Sequence, residues 1–180
     1  RTRFSIGAVV VRNFVEGEAC WRIAKNGEIS VEITARRLAS APALPRFGLR
    51  LFVPRRMNQV EYFGYGPYES YIDKHRASVK HLYAANVESM HEDYIRPQEN
   101  GSHFNCDYLK LSSYNGGIEV TGEGFCFNAS RYTQEELTKK AHNFELEKSD
   151  SVVLCIDAFH NGIGSNSCGP RLAKAMQFDD

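Results

Sequence analysis

Apolar and polar residues alternate along five stretches of the chain, which is the pattern of strands that bury one face. These stretches cover residues 28–39, 47–53, 106–114, 117–130 and 151–159, and β-branched and aromatic side chains are frequent in them. Asn26-Gly27 precedes the first stretch and Asn115-Gly116 separates the third from the fourth, as tight hairpins require. The pattern predicts a mostly antiparallel, all-β fold.

One segment has a helical pattern instead. Within residues 132–144, Thr133 is a candidate N-cap and Glu136 stands three residues later, where a capping box places its acidic residue. The sequence therefore predicts one short surface helix near residues 133–141.

Length and charge narrow the class of protein. A chain of 180 residues suits one domain over residues 1–180. Because 22 basic residues balance 22 acidic ones, no overall field attracts nucleic acid or an anionic membrane. We therefore expect a neutral partner, with no nucleic acid and no membrane.

The cysteines and the chain ends add two expectations. Five cysteines are scattered without a C-x-x-C pair, which favours reduced thiols and a cytoplasmic location: Cys20, Cys106, Cys126, Cys155 and Cys168. A first residue Arg1 without a preceding Met and a last residue Asp180 indicate an incomplete piece of a longer polypeptide.

The first candidate site is the glycine-rich stretch "IDAFHNGIGSNSCGP", residues 156–170, in which His160 and Asn161 follow a strand. Gly162 and Gly164 would let the backbone approach a ligand closely, so the stretch is interpreted as a ligand-facing loop. A tight turn with a buried structural Asp157–His160 pair explains the same residues equally well.

Two further stretches carry candidate polar groups. Residues 94–106 offer Gln98, Glu99 and Asn100 beside a turn, suited to a hydroxyl-rich partner, although a solvated turn is the simpler explanation. Residues 62–78, "YFGYGPYESYIDKHRAS", combine tyrosines, glycines and charges and are predicted to form an ordered loop rather than a strand.

No motif in the chain assigns an enzyme activity to it alone. Glycoside cleavage needs two facing carboxyl groups, and the spacing of Glu69, Asp73, Glu99 and Asp157 pairs none of them. Nucleophile-elbow, zinc-protease, phosphate-loop and dinucleotide motifs do not occur, and Cys168 has no catalytic-cysteine signature around it.

Five motifs together resemble the C-terminal part of the LacZ-type β-galactosidases of glycoside hydrolase family 2. They occur in the same order over nearly the whole chain: "LPRFGL", "YFGYGPYESYIDKHRAS", "YIRPQENG", "FNASRYTQEEL" and "IDAFHNGIGSNSCGP". The resemblance implies an antiparallel β supersandwich of the galactose-mutarotase-like type at the end of a retaining, multi-domain enzyme. It also implies that the catalytic glutamates lie upstream in a barrel, so we expect no catalytic residue in this chain.

In that family, the loop after the "IDAFHNGIG" strand forms one wall of the active-site mouth and often carries a tryptophan. Cys168 stands at the matching position, which weakens sugar stacking there. The resemblance thus names Cys168, Asn166 and His160 as possible substrate-binding residues. Full-length relatives often use Mg2+ and Na+, but no cofactor is expected in this chain.

The resemblance also implies partners. Uncovered strand edges would be completed by the rest of the β-galactosidase chain, a large subunit or a second copy, and a homo-oligomer is expected. Residues 62–78 become a connection held by Tyr68, Glu69, Tyr71 and Asp73. Two alternatives remain open, an autonomous carbohydrate-binding module and a mutarotase-like enzyme that uses His160 or His142 with a carboxylate.

Overall fold

The computed structural model describes residues 1–8, 11–38, 44–164 and 172–177, and these residues form antiparallel sheets with one short α-helix, α1 (Gln134–Lys139). The strands are β1 (Thr2–Ala8), β2 (Val11–Ile23), β3 (Ile29–Arg37), β4 (Arg46–Pro54), β5 (Gln59–Gly66), β6 (Val79–Asn86), β7 (Ser102–Ser113), β8 (Gly116–Ser130) and β9 (Ser151–His160). The all-β class and the antiparallel pairing predicted from the sequence are confirmed.

The chain forms two compact units, and the first lies before residue 44. Its described strands make a three-stranded sheet in the order β1-β2-β3. The predicted Asn26-Gly27 turn joins β2 to β3, and Gly27 has a φ of 88°, a conformation that favours glycine. Val15 and Ala19 are buried apolar residues of β2. The prediction of one domain over residues 1–180 stays a prediction.

The second unit begins at Leu44 and contains a six-stranded sheet in the order β4-β9-β8-β7-β5-β6. Alternate residues of these strands form one apolar core, as the period-two pattern predicts. Its fully buried members include Tyr62, Leu109, Leu111, Phe127, Val152 and Leu154. Strands β4 and β6 form the two edges of this sheet, and β9 pairs with both β4 and β8.

The prediction of a loop over residues 62–78 is wrong for its first five residues, which end strand β5. Tyr62 is buried in the core, and Gly64 and Gly66 face the same side. A Cβ at Gly64 would lie 2.2 Å from Cys106 Sγ, and one at Gly66 would lie 2.1 Å from the Tyr62 hydroxyl. These glycines therefore make room for neighbouring core side chains and do not interrupt the strand.

Helix α1 starts where the sequence predicts. The Thr133 side chain accepts a hydrogen bond from the backbone N–H of Glu136 at 3.1 Å. The reciprocal half of the predicted capping box does not form, because the Glu136 carboxylate accepts from the N–H of Glu147 at 2.9 Å. In the described part of the chain, no helix has the length and apolarity needed to cross a membrane.

Candidate functional site

The sheet is irregular where β4 and β9 reach the first candidate site. Phe47 pairs with Phe159 but Gly48 pairs with Asp157, so Ala158 is an extra residue in β9. A Cβ on Gly48 would lie 2.1 Å from the carbonyl oxygen of Ile156, so this close approach requires glycine. The bulge changes the direction of the last residues of β9, which lie beside the beginning of β4.

Arg46 lies at this bulge and joins two carboxylates. Its Nη2 donates to Asp157 Oδ2 at 2.5 Å and its Nε donates to Asp157 Oδ1 at 3.2 Å, while Nη1 lies 3.2 Å from Glu99 Oε1. Asp157 is buried, with 4% of its side chain exposed. Burial alone would lower the pKa of Arg46, but the bond to Asp157 and the charge of Glu99 outweigh it and raise that pKa.

His160 ends β9 and lies against the same cluster. Its Nε2 is 3.8 Å from Glu99 Oε1, its Nδ1 is 2.7 Å from the carbonyl oxygen of Asn161, and its ring centre is 5.4 Å from that of Tyr71. Burial alone would raise the pKa of Glu99, but the neighbouring His160 and Arg46 outweigh it, and the pKa lies below its usual value. The Glu99 carboxyl group is therefore ionised at neutral pH.

The sequence predicts a buried Asp157–His160 pair, but in the structure each of the two residues has a different partner. Both residues are buried, but Asp157 bonds to Arg46 and His160 contacts Glu99. The guanidinium of Arg46 offers a fork of N–H donors that matches a carboxylate in geometry, and it takes both oxygens of Asp157. Arg46 and Glu99 link the two residues into one four-membered cluster.

Asp73 fixes the chain that leaves β9. Its Oδ1 accepts a hydrogen bond from the N–H of Ile163 at 3.1 Å, and its Oδ2 accepts one from the N–H of Gly164 at 2.6 Å. A Cβ at Gly162 would lie 2.3 Å from the Asp73 carboxyl carbon, so glycine allows this close contact. Gly162 and Gly164 allow the close approach that the sequence predicts, but the group that lies against them is the Asp73 carboxylate of the same chain.

Glu69 anchors the stretch of residues 62–78 to the stretch of residues 94–106. Its carboxylate accepts from Lys74 Nζ, from the Tyr94 hydroxyl and from the N–H of Gly101, the last at 2.8 Å. Tyr71 is also buried, and burial, followed by the charge of Glu69, raises its pKa. Tyr68 differs from the other residues predicted to hold this segment, because it is 63% exposed.

The other predicted polar residues separate in space. Gln98 is exposed, whereas Asn100 is buried and its side chain links the N–H of Glu92, at 3.0 Å, to the carbonyl oxygen of Gln98, at 2.9 Å. His142 is exposed and lies 3.5 Å from Glu145. Of the 94–106 stretch, Glu99 is therefore the residue that joins the cluster around Arg46.

The described cysteines are free, and burial raises the pKa of both Cys126 and Cys155 to about 11, so these thiols are protonated at neutral pH. Across residues 1–8, 11–38, 44–164 and 172–177, no group of three or more His, Cys, Asp or Glu side chains is placed to hold a metal ion.

The sequence of this chain matches a known protein family. The sequence profile described as "Beta galactosidase small chain" matches residues 2–180. The chain belongs to this family. This β-galactosidase family is the one that the five sequence motifs resemble, so the recognition made from those motifs is confirmed.

Individual β-galactosidases match the chain over most of its length. The protein of Actinobacillus pleuropneumoniae is 53% identical over 152 residues, 84% of this chain and 15% of the relative. The protein of Staphylococcus xylosus is 39% identical over 165 residues, 91% of this chain and 17% of the relative. The protein of Vibrio cholerae is 38% identical over 148 residues. The chain thus spans about 15% of the length of the curated relatives it matches.

The structure locates one of the three residues that the family resemblance names. His160 lies in the Arg46 cluster, while Cys168 and Asn166 lie outside the described residues. The sequence interpretation missed Arg46, Lys74 and Tyr94 as members of the clusters. Arg46 stands in the motif "LPRFGL", but its partner Asp157 lies 111 residues away, and nothing in the local pattern links them.

Proposed function

We propose that this chain is the C-terminal β-sandwich portion of a β-galactosidase that hydrolyses terminal β-D-galactosides such as lactose. In that enzyme, the chain contributes to the active-site mouth and to assembly, and residues outside it supply the catalytic acid/base and nucleophile. One observation carries the proposal: 53% identity to a β-galactosidase over 84% of this chain, which is 15% of that relative.

The state of the carboxylates supports a non-catalytic role. A general acid needs a raised pKa, but the pKa of Glu99 is lowered, and Asp157 is held by two hydrogen bonds from Arg46. Glu69 and Asp73 each accept hydrogen bonds from two or more donors. These carboxylates serve as anchors for the loops of the second unit.

The wall of the active-site mouth is the part of the proposal that concerns substrate. We assign Cys168, Asn166 and His160 to it on the family resemblance, and the anchoring of residues 163–164 by Asp73 supports a fixed position for the chain entering this loop. His160 is buried, and its Nε2 lies near the Glu99 carboxylate, so this contact helps to hold the imidazole ring in place.

The remaining proposals concern context. We propose that the chain acts in the cytoplasm, which free cysteines support, and that it assembles with the rest of a β-galactosidase as a homo-oligomer. The mutarotase-like alternative gains no support from His142, which is exposed beside Glu145 on a surface turn. Any Mg2+ or Na+ would belong to the rest of the enzyme.

A co-assembly assay tests the proposed function. The A. pleuropneumoniae β-galactosidase without the segment that matches this chain is produced with and without the 180-residue chain, and turnover of a chromogenic β-galactoside is measured. We expect activity only for the co-purified pair. Turnover by the repurified chain alone, or a co-eluting pair no more active than the truncated relative, would overturn the proposal.

A further inference from the structure

A cleft of about 770 Å³ opens in the second unit between residues 68–78 and residues 92–94. Its volume lies within the range of small-molecule sites, roughly 300–1,000 Å³. The walls consist of Tyr68, Glu69, residues 73–78, and residues 92–94. The family resemblance names none of these residues as substrate-binding, so the chemistry of the walls must identify the ligand.

The carboxylates in the depth of the cleft are already bonded, which disfavours a cation as the ligand. Glu69 is buried, with 4% of its side chain exposed, and accepts from Lys74, Tyr94 and the N–H of Gly101. Asp73 places one oxygen on each of two backbone N–H groups. A metal ion or an amine would have to displace these bonds.

The charge balance of the walls disfavours an anion. Four carboxylates, those of Glu69, Asp73, Glu92 and Asp93, outnumber the two cations, Lys74 and Arg76. Glu92 and Asp93 are exposed, so an anion would meet their charges as it entered. Lys74, the cation nearest the buried carboxylate, is neutralised by Glu69. A neutral ligand fits these walls best.

The polar groups that remain available are fixed in place and suited to hydroxyl groups. Lys74 Nζ donates to Glu69 and, at 2.9 Å, to the Tyr94 hydroxyl, which leaves one of its three N–H groups for a ligand. The Tyr94 hydroxyl donates to Glu69 and accepts from Lys74, so one oxygen lone pair stays open. The buried Glu69 carboxylate therefore orients both the Lys74 donor and the Tyr94 acceptor.

An aromatic surface stands beside these groups. Tyr68 is 63% exposed on the wall of the cleft, although the segment around it is anchored through Glu69 and Ser70, both buried. An exposed aromatic ring on an anchored stretch of backbone, next to oriented hydrogen-bonding groups, suits a ligand with one apolar face and a rim of hydroxyls. We propose that this cleft binds a neutral saccharide, with Tyr68 as the stacking surface and Lys74 and Tyr94 as hydrogen-bonding partners.

Photocrosslinking locates such binding without relying on hydrolysis. The probe is a galactoside that carries a diazirine, applied to the assembled β-galactosidase containing this chain, and the labelled peptides are mapped by mass spectrometry. We expect saturable labelling of residues 68–78 and 92–94 that free lactose competes away. Because the ligand is neutral, half-saturation should change by less than about twofold between low and high salt.

Matched tyrosine variants test the stacking role. Tyr68→Ala should raise the half-saturating probe concentration about three- to tenfold, the range for loss of one favourable aromatic contact. Tyr114→Ala is the control, since Tyr114 is fully exposed at the turn between β7 and β8 and does not line the cleft. Both positions are exposed, so both variants should fold as the parent does.

The proposal is overturned by any of three results: no saturable labelling of the two segments, equal labelling in Tyr68→Ala and the parent, or competition by citrate or Ca²⁺ in place of lactose. Loss of hydrolysis with labelling intact would contradict the proposed function alone, so the two proposals fail separately.

Discussion

Arg46 donates two hydrogen bonds to Asp157, from Nη2 at 2.5 Å and from Nε at 3.2 Å, and so ties the beginning of β4 to the end of β9. The same guanidinium lies 3.2 Å from Glu99. Removal of Arg46 would leave Asp157 buried without its cation and Glu99 with His160 as its remaining partner in the cluster. The stability of the second unit should depend on this residue more than on a surface arginine.

Arg46→Met is expected to lower the free energy of unfolding by about 3–5 kcal/mol, the usual cost of an uncompensated buried charge. Arg50→Met is the matched control, because Arg50 pairs with the exposed Glu135 and such a pair contributes about 0–1 kcal/mol. Urea unfolding of both variants measures the difference. Equal losses would show that the Arg46 cluster stabilises the fold no more than the exposed Arg50–Glu135 pair does.

Stability should also fall with pH through His103, whose ring is buried between Tyr62 and Phe127. Burial lowers its pKa from 6.5 to about 4. Below the unfolded pKa, the unfolded chain binds a proton that the folded chain refuses, so stability is lost as pH falls from about 6.5 to about 4. This loss of stability amounts to roughly 2 kcal/mol between about pH 7 and pH 5.

Urea unfolding of histidine variants at pH 7 and pH 5 isolates the contribution of His103 to the pH dependence of stability. His103→Phe should remove roughly 2 kcal/mol of pH dependence, whatever it does to stability at neutral pH. His81→Phe, at an exposed position in β6, should leave the dependence unchanged. A parent and a His103→Phe variant with the same slope would contradict the buried neutral ring.

Gly64 should not tolerate a side chain. An added Cβ would lie 2.2 Å from Cys106 Sγ, so Gly64→Ala is expected to cost about 1–3 kcal/mol by overpacking. Cys106→Ala should restore part of the loss, since the remaining contacts, with the Cβ and Cα of residue 106, are 3.1 and 3.2 Å. A double-mutant cycle by thermal unfolding measures this coupling. Gly122→Ala, which meets a phenylalanine ring at 3.3 Å, should cost less.

Asp73 should protect the backbone that follows β9. Asp73→Ala removes both acceptors of the Ile163 and Gly164 N–H groups, so these amides should exchange with deuterium about tenfold faster or more. Asp73→Asn keeps one acceptor oxygen and should lie between the two. Asp93→Ala, at an exposed carboxylate paired with His91, should leave the exchange unchanged, and an equal effect there would contradict the anchor.

The sequence predicts the parts of the fold that local pattern determines. Residues 117–130 and 151–159 alternate in polarity, and β8 and β9 form there. Thr133 caps α1 as predicted. In β5, by contrast, Gly64 and Gly66 look like strand breakers, and their use becomes clear only from Cys106 and Tyr62 packed against them.

The sequence indicated several residues of the candidate site, but it did not indicate which residues contact one another. His160, Glu99 and Asp157 were candidates from the sequence, and they do meet in one cluster. Arg46 joins them through long-range pairing of β4 with β9 and through the bulge at Ala158, neither of which leaves a local signal. Loop closure over such distances is a property of the whole fold.

The central claim, that this chain completes a β-galactosidase without supplying its catalytic groups, is tested most directly by exchange. The matching 152-residue segment of the A. pleuropneumoniae β-galactosidase is replaced by this chain, and kcat/KM for lactose is measured beside the parent enzyme and a version without the segment. The account predicts that the exchanged enzyme hydrolyses lactose and that the version without the segment does not. An exchanged enzyme that folds and assembles like the parent but fails to hydrolyse lactose, or full activity without the segment, would contradict it.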